Sequence, residues 1–148
     1  MKLKKIRIMF QEPISEEQEN VLIVNIKAVR DHAKTELEKR IGQAKNKIIQ
    51  KSVKDQADAA ITRMEYMINS LEMYVSLNIE EARKTYVFQY PMDSFQVIPE
   101  FTAFGMKVRL MDMKPDRKII CFIKNDVLKD MGIDRDTVTF EVEEAETS

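Results

Sequence analysis

The chain of 148 residues has little of what a reaction centre usually needs. It contains one cysteine, Cys121, and one histidine, His32. A single cysteine excludes an intramolecular disulfide and a cysteine-based zinc site. A single histidine leaves no second imidazole for a proton relay, and its neighbour at one helical turn, Glu36, makes only a two-ligand set for a metal. The sequence therefore predicts a protein that is not an enzyme and that holds no metal or cofactor.

Long apolar runs are also missing. No stretch reaches the roughly 18 apolar residues of a membrane-spanning helix. The N-terminal stretch MKLKKIRIMF is interrupted by Arg7 and followed by Glu12 and Pro13, unlike a secretory signal. A net charge of −1 is unlike that of a general nucleic-acid coat, so any contact with a polyanion must come from a local patch. These features predict a soluble, cytoplasmic protein with no membrane partner.

Glycine and proline are scarce, and Gly42 is the only one of either type between Pro13 and Pro91. So long a stretch without helix breakers predicts helix. Ser15 and Gln18 have the spacing of a capping box at its start. Apolar residues then recur in steps of three and four, first at Leu22, Ile26, Val29, Ala33, Leu37, Ile41, Ala44 and Ile48, and later at Ala57, Ala60, Ile61, Met64, Met67, Ile68, Leu71, Tyr74 and Val75. The pattern predicts helices over residues 16–50 and 53–83, paired as a protruding hairpin within 14–84. The alternative is one kinked helix whose apolar face needs a partner chain.

The rest of the chain follows a period of two, which is typical of strands. The alternation predicts a strand at 5–10, strands within 86–90, 95–98 and 106–113, and a closing strand at 137–143. Residues 114–117 predict a turn, 118–123 a central strand, and Asn125 and Gly132 the two ends of a short helix. The fold class is then α+β. A single domain over 1–148 would have a sheet scaffold from 1–13 and 85–144, a mostly antiparallel sheet of five or six strands, and the helical hairpin inserted after the first strand.

Residues 39–54 carry six positive side chains and no acid. On a continuous helix, four of them share one stripe, namely Arg40, Lys47, Lys51 and Lys54. The stripe could bind an acidic partner or nucleic-acid phosphates, and the alternative is a solvated helix face. No aromatic residue lies between Phe10 and Tyr66, so base stacking is excluded there.

Methionine is unusually frequent, with ten residues. Met64 and Met67 fit core positions of the second helix. Met111 and Met113 share a strand face with Lys107 and Arg109, and methionine adapts to irregular partners. The sequence therefore predicts a half-exposed contact patch for a protein partner at Met111 and Met113.

The segment from Met106 to Val142 resembles the swapped-hairpin domain of AbrB-type transition-state regulators. The matching parts are a strand, a turn with Arg117, the strand IICFI, a short helix ending in Asp130-Met131-Gly132-Ile133, and the closing strand VTFEVEE. The resemblance implies a dimer that binds DNA through basic residues of its first hairpin. Their counterparts here are Lys107, Arg109, Lys114, Arg117 and Lys118.

Two functional hypotheses follow. The first is a non-enzymatic binding or assembly protein, that is, an adaptor, subunit or inhibitor of a larger complex. It would act through the helical hairpin and the Met-rich sheet face, by self-association or by binding a protein partner. The apolar residues expected to pack or pair are Leu22, Ile26, Met64, Met67 and Leu71. The second is a nucleic-acid-binding transcriptional regulator that uses the basic stripe at 39–54 or the AbrB-like hairpin around Arg117.

Overall fold

A computed structural model describes residues 1–51, 54–96, 101–103, 106–108 and 115–146, with side chains for 1–46, 54–94 and 115–146. In chain order the elements are β1 (Lys2–Phe10), α1 (Glu16–Lys51), α2 (Lys54–Tyr74), β2 (Ser76–Glu81), β3 (Thr85–Pro91), α3 (Met92–Gln96), β4 (Phe101–Ala103), β5 (Met106–Val108), α4 (Pro115–Phe122), a π-helical segment (Ile123–Val127), α5 (Leu128–Met131), a 3-10 turn (Arg135–Thr137) and β6 (Val138–Glu146). The fold is α+β, as predicted.

The main sheet is antiparallel throughout, with the strand order β2-β3-β1-β6. Within the described residues it has four strands, not the five or six predicted, and β4 and β5 form a separate two-stranded sheet. On β1, Ile6 lies opposite Phe88 of β3, and Ile8 lies opposite Tyr86. These four side chains are fully buried and form the floor of the core. The predicted alternation is confirmed in β1, whereas in β3 Val87 on the other face is buried as well.

Helices cover the apolar face of this sheet. The predicted stripe of α1 is buried from Leu22 to Leu37, and in α2 Met67 and Leu71 join the same core. Lys34 Nζ lies 2.6 Å from Glu72 Oε1, so the middle of α1 lies beside the end of α2. The two helices therefore pack side by side in opposite directions. The predicted turn between them, at residues 51–52, falls at the edge of the described residues.

The start of α1 follows the predicted capping box. The backbone N–H of Gln18 donates to Ser15 Oγ at 3.2 Å, and that of Ser15 donates to Gln18 Oε1 at 2.8 Å. Two orphan donors of the first turn are thus satisfied reciprocally. Gln18 Nε2 also donates to the carbonyl of Met131 at 2.9 Å, which fixes the start of α1 against α5.

The predicted end of the second helix, at residue 83, is wrong. The helix α2 ends at Tyr74, and residues 76–81 form strand β2, so the end of the predicted hairpin at 14–84 belongs to the sheet. Leu77 pairs with Phe88, and Ile79 pairs with Tyr86. Leu77 is half-buried and Ile79 is exposed, so burial alone does not decide the conformation here. The available ladder partner on β3 decides against helix.

The predicted strand at 95–98 is also wrong where it can be followed, because residues 92–96 form α3. Residues 97–98 lie outside the described part of the chain. Ser94 is buried, and its hydroxyl donates to the carbonyl of Met67 at 3.4 Å. The helix α3 therefore packs on α2.

The prediction of a turn at 114–117 and a central strand at 118–123 is wrong, because residues 115–122 form α4. Pro115 occupies the first helical position and Asp116 follows in the first turn, which are both favourable there. Ile119, Phe122 and Ile123 have helical spacing and are buried. The strand IICFI on which the AbrB resemblance depends is thus helical, and the second strand of the implied DNA-binding hairpin is absent from residues 115–122.

Gly132 ends α5 as predicted. Its φ of 72° lies in the left-handed region that glycine tolerates, and its N–H bonds to the carbonyls of the last turn. Asn125 does not cap this helix, because it lies inside the π-helical segment, where its side chain accepts a hydrogen bond from Arg135 at 3.0 Å.

The last strand, β6, is one edge of the sheet and is rich in glutamate, with Glu141, Glu143, Glu144 and Glu146. The sequence predicts that this acidic tail frays. Instead it pairs with β1 over its whole length, from Val138 to Glu146. Lys4 Nζ lies 2.8 Å from Glu144 Oε1, so the basic first strand offsets the acidic last one.

Candidate functional site

A cavity of about 230 Å³ lies between the first half of α1 and the edge strand β2. We call it the α1–β2 groove. Its lining residues are Ile23, Ile26, Lys27, Arg30, Val75, Ser76, Leu77, Ile79 and Tyr86. The walls are thus mostly aliphatic, with two cationic side chains on the helical side. This combination suits an apolar ligand that also carries negative charge.

Tyr86 holds one end of the groove in place. Its hydroxyl donates to Glu19 Oε1 at 2.7 Å, and its ring meets that of Phe10 edge-on, at 6.0 Å between centroids. Burial, and next the hydrogen bond to the Glu19 carboxylate, raise the pKa of Tyr86 well above its usual range. The hydroxyl therefore stays protonated and keeps α1 tied to β3 at any physiological pH.

Two contacts fix the relative direction of α1 and β2. Tyr86 lies opposite Ile79 in the sheet and binds Glu19, so the end of β2 is next to the start of α1. Lys34 binds Glu72, just before the chain enters β2, so the start of β2 is next to a later turn of α1. The helix and the strand therefore run antiparallel along the groove.

The outer edge of β2 has no strand beside it among the described residues. The first half of the strand, Ser76–Ile79, is regular, and the register shifts at a bulge between Ile79 and Glu81. The outward N–H and C=O groups of this regular half can accept another extended chain. Beside them, the side chain of Ile79 is 57% exposed. A large apolar side chain and an open strand edge thus lie together.

The cations of the groove are weakly neutralised. Arg30 contacts only its sequence neighbour Asp31 among the described residues, at 3.2 Å from Nη2 to Oδ1. Lys27 is exposed and forms no ion pair within the described part of the chain. One acid for two cations leaves this side of the groove electropositive.

The opposite face of the sheet carries a closed ion network centred on Arg7. Its guanidinium binds Glu80 through Nε at 2.6 Å and Nη2 at 2.8 Å, and it also contacts Glu141 at 3.3 Å and Glu143 at 3.2 Å. The bidentate hydrogen bond to Arg7 lowers the pKa of Glu80, and the Glu80 carboxylate raises that of Arg7. The network links β1 to both edge strands.

This network makes the Glu80 contribution to stability pH-dependent. The pKa of Glu80 in the folded chain lies below its ordinary value of 4.5, so the stabilisation is complete above that value and is lost as the pH falls through the folded pKa. We expect Glu80→Gln to lower the free energy of unfolding at neutral pH and to match the native chain in acid. Urea unfolding across the pH range measures the difference. Glu65→Gln, at an exposed glutamate of α2, is the control, and a Glu80→Gln deficit that persists in acid would contradict the ion-pair origin.

Two of the four residues predicted to form a basic stripe can be placed, and they lie on different helices. Arg40 is half-buried and lines a second groove between the helices with Ala44, Ala57 and Met64. Lys54 is exposed but belongs to α2. The side chains of Lys47 and Lys51 lie outside the described set.

The strand-borne candidates are placed only in part. Lys107 belongs to β5, outside the main sheet, and Arg117 is exposed on α4 beside half-buried Lys118. The remaining four, Arg109, Met111, Met113 and Lys114, lie outside the described residues. The structure therefore brings none of these side chains together with another predicted group in a described site.

Sequence reasoning missed the α1–β2 groove because it assigned residues 76–81 to a helix. The usable signal was the alternation of Val75, Leu77 and Ile79, which continues the period of two found in residues 86–90. Lys27 and Arg30 gave no signal, because cations on an exposed helix face are common.

Within the described residues, no group of three or more metal-ligating side chains comes together. None of the described helices has the length and apolar character needed to cross a bilayer. Comparison of the chain with protein-family models, with curated proteins and with solved structures gave no significant match.

Proposed function

We propose that this chain is a non-catalytic protein-binding module that captures an extended segment of a partner protein in the α1–β2 groove. The partner segment pairs with the open edge of β2, and its alternate side chains enter the groove. This is the strand-addition mode of peptide recognition, in which main-chain hydrogen bonds supply affinity and side-chain pockets supply specificity.

One observation carries this proposal, the adjacency of an open strand edge and an apolar groove. The regular half of β2 exposes its backbone groups, and Ile79 exposes apolar surface next to them. The cavity of about 230 Å³ is smaller than the roughly 300–1,000 Å³ of small-molecule sites. It is better suited to a few side chains of a peptide than to a separate small ligand.

The apolar residues of the hairpin that are expected to pack or pair lie in the chain's own core. Leu22, Ile26, Met67 and Leu71 are buried there, and Met64 packs against them. They position α1 as a wall of the groove. Nucleic-acid binding through residues 39–54 stays a prediction, supported by the exposure of Lys39, Lys45 and Lys54.

The test uses peptides selected from a displayed random library against the intact protein. We expect Ile79→Asp to weaken binding of the selected peptides by roughly tenfold or more, because a charge on the groove wall opposes burial of apolar side chains. Fluorescence anisotropy with labelled peptides measures the dissociation constant. Ile79 is 57% exposed, so the variant should fold, which circular dichroism checks.

Met73→Asp is the matched control, because Met73 is 72% exposed and lies on α2, outside the groove lining. The proposal also requires that bound peptide slow amide exchange in Ser76–Ile79. Peptides that bind the Ile79→Asp protein as well as the native one, or that leave exchange in β2 unchanged, would show that the groove is not the binding site.

A further inference from the structure

We infer that the partner segment is acidic on the C-terminal side of its apolar residues, with glutamate or aspartate side chains that bind Lys27 and Arg30. The inference rests on the proposed function and specifies which segment the groove takes. It follows from the direction of the sheet, the position of the cations and the placement of the nearby acids.

The direction of the segment comes from the sheet. All neighbouring strands in the four-stranded sheet are antiparallel, so a fifth strand added at β2 is expected to run antiparallel to it. Because β2 itself runs antiparallel to α1, the added segment runs in the same direction as α1. Its N-terminal end lies near Ile79 and Glu19, and its C-terminal end lies near Ser76 and Arg30.

The charges along the groove are ordered in the same way. At the N-terminal end of the segment, Glu19 already accepts a hydrogen bond from Tyr86. About two and three turns further on, α1 presents Lys27 and Arg30, which lie three residues apart on adjacent positions of the helix surface. Carboxylates at the C-terminal end of the segment therefore meet two cations and avoid Glu19.

The other acids near β2 do not neutralise this end. Glu80 is engaged with Arg7 on the opposite face of the sheet, and Asp31 lies beside Arg30 on α1. Lys27 forms no ion pair among the described residues. An acidic segment supplies the charge that the groove itself lacks.

A second copy of this chain offers a weaker charge match as the occupant. In an antiparallel pair of β2 edges, the end of one copy's strand would lie near Lys27 and Arg30 of the other copy. Of the two glutamates at that end, Glu80 is engaged with Arg7, which leaves exposed Glu81 beyond the bulge. A separate segment with two carboxylates is therefore the better match for the two cations.

The experiment compares peptide selections on three proteins. The library displays random peptides of about ten residues, the length of a long strand, flanked on both sides so that no free C-terminal carboxylate is present. The targets are the native chain, the variant with Lys27→Glu and Arg30→Glu, and Lys39→Glu as a control at an exposed lysine on the same helix outside the groove.

We expect the peptides selected on the native chain and on the Lys39→Glu control to contain alternating apolar residues followed by acidic ones. We expect the peptides selected on the double variant to carry lysine or arginine in place of the acidic residues. Should the double variant fail to fold, the single variant Lys27→Glu replaces it. This variant should bind an acidic peptide roughly tenfold more weakly than the native chain does. The same peptide with lysines in place of its acidic residues should regain binding to the variant.

The outcomes separate the two proposals. An apolar consensus that is sensitive to Ile79→Asp but has no acidic preference, or has its acids on the N-terminal side, overturns this inference and leaves the groove as a binding site. A selection that enriches no peptide would contradict both the proposed function and this inference. So would a selection that enriches only peptides whose binding is unchanged by Ile79→Asp.

Discussion

Replacement of Phe122 by alanine should lower the free energy of unfolding by about 3–5 kcal/mol. Phe122 is 1% exposed, on the face of α4 that packs against β1, and it lies among Ile119, Ile123 and the other residues of the core. Removal of the ring loses its transfer free energy and leaves a cavity that the surrounding helices can only partly fill. Chemical denaturation followed by circular dichroism measures the loss.

Arg117→Ala is the control on the same helix, because Arg117 is exposed and its replacement should change stability by no more than about 0.5 kcal/mol. Comparison of Phe122→Ala with Arg117→Ala also tests whether this segment is a helix or a strand. In the helix, residues 119, 122 and 123 share the buried face, whereas in a strand residue 122 would face away from residues 119 and 123. A loss below about 1 kcal/mol for Phe122→Ala would contradict the helical packing.

Replacement of Leu37 by alanine should cost about 2–5 kcal/mol. Leu37 is fully buried in the sixth turn of α1, past Lys34, where the helix packs against α2. Alanine keeps the helical propensity, so the loss reports packing between the helices alone. Urea unfolding again provides the measurement.

Glu38→Ala, at the exposed neighbouring position, is the control and should be close to neutral. This variant also distinguishes the two interpretations of the helical sequence. If α1 and α2 bury each other within one chain, the Leu37→Ala loss is independent of protein concentration. A loss that grows on dilution would mean that a second chain completes the contact, as the continuous-helix alternative requires.

Local signals in the sequence predicted the elements that depend on contacts between residues close together in the chain. The capping box at Ser15 and Gln18, the stripe from Leu22 to Leu37, and the cap at Gly132 depend on neighbours within a few turns, and all are confirmed. The alternation in β1 likewise needs only one buried face, and it is confirmed as well.

The errors occurred where an apolar run was compatible with two periods. Residues 118–123 contain apolar residues that can be placed on a strand or on a helix, and Pro115, placed by prediction in a turn, instead begins a helix. Residues 76–81 follow a helix without a glycine or proline, so their change to strand depends on a distant partner, β3. Short segments of this kind are decided by tertiary pairing.

The candidate site was beyond prediction for the same reason. The α1–β2 groove exists because Tyr86 and Glu19, which are far apart in sequence, meet across the core and set the helix beside the strand. Lys27 and Arg30 line the same groove as Ile79 because the helix packs on the sheet, although they are far apart in sequence. Residue type alone did not distinguish them from other exposed cations.

The two edges of the sheet have different chemistry, and this difference limits assembly. β6 presents four glutamates and no basic residue along its length, so it lacks the cations that Lys27 and Arg30 supply beside β2. We therefore expect an acidic segment to bind at β2 and not at the other edge of the same molecule. Each molecule would then take up one segment, without growth into a fibre.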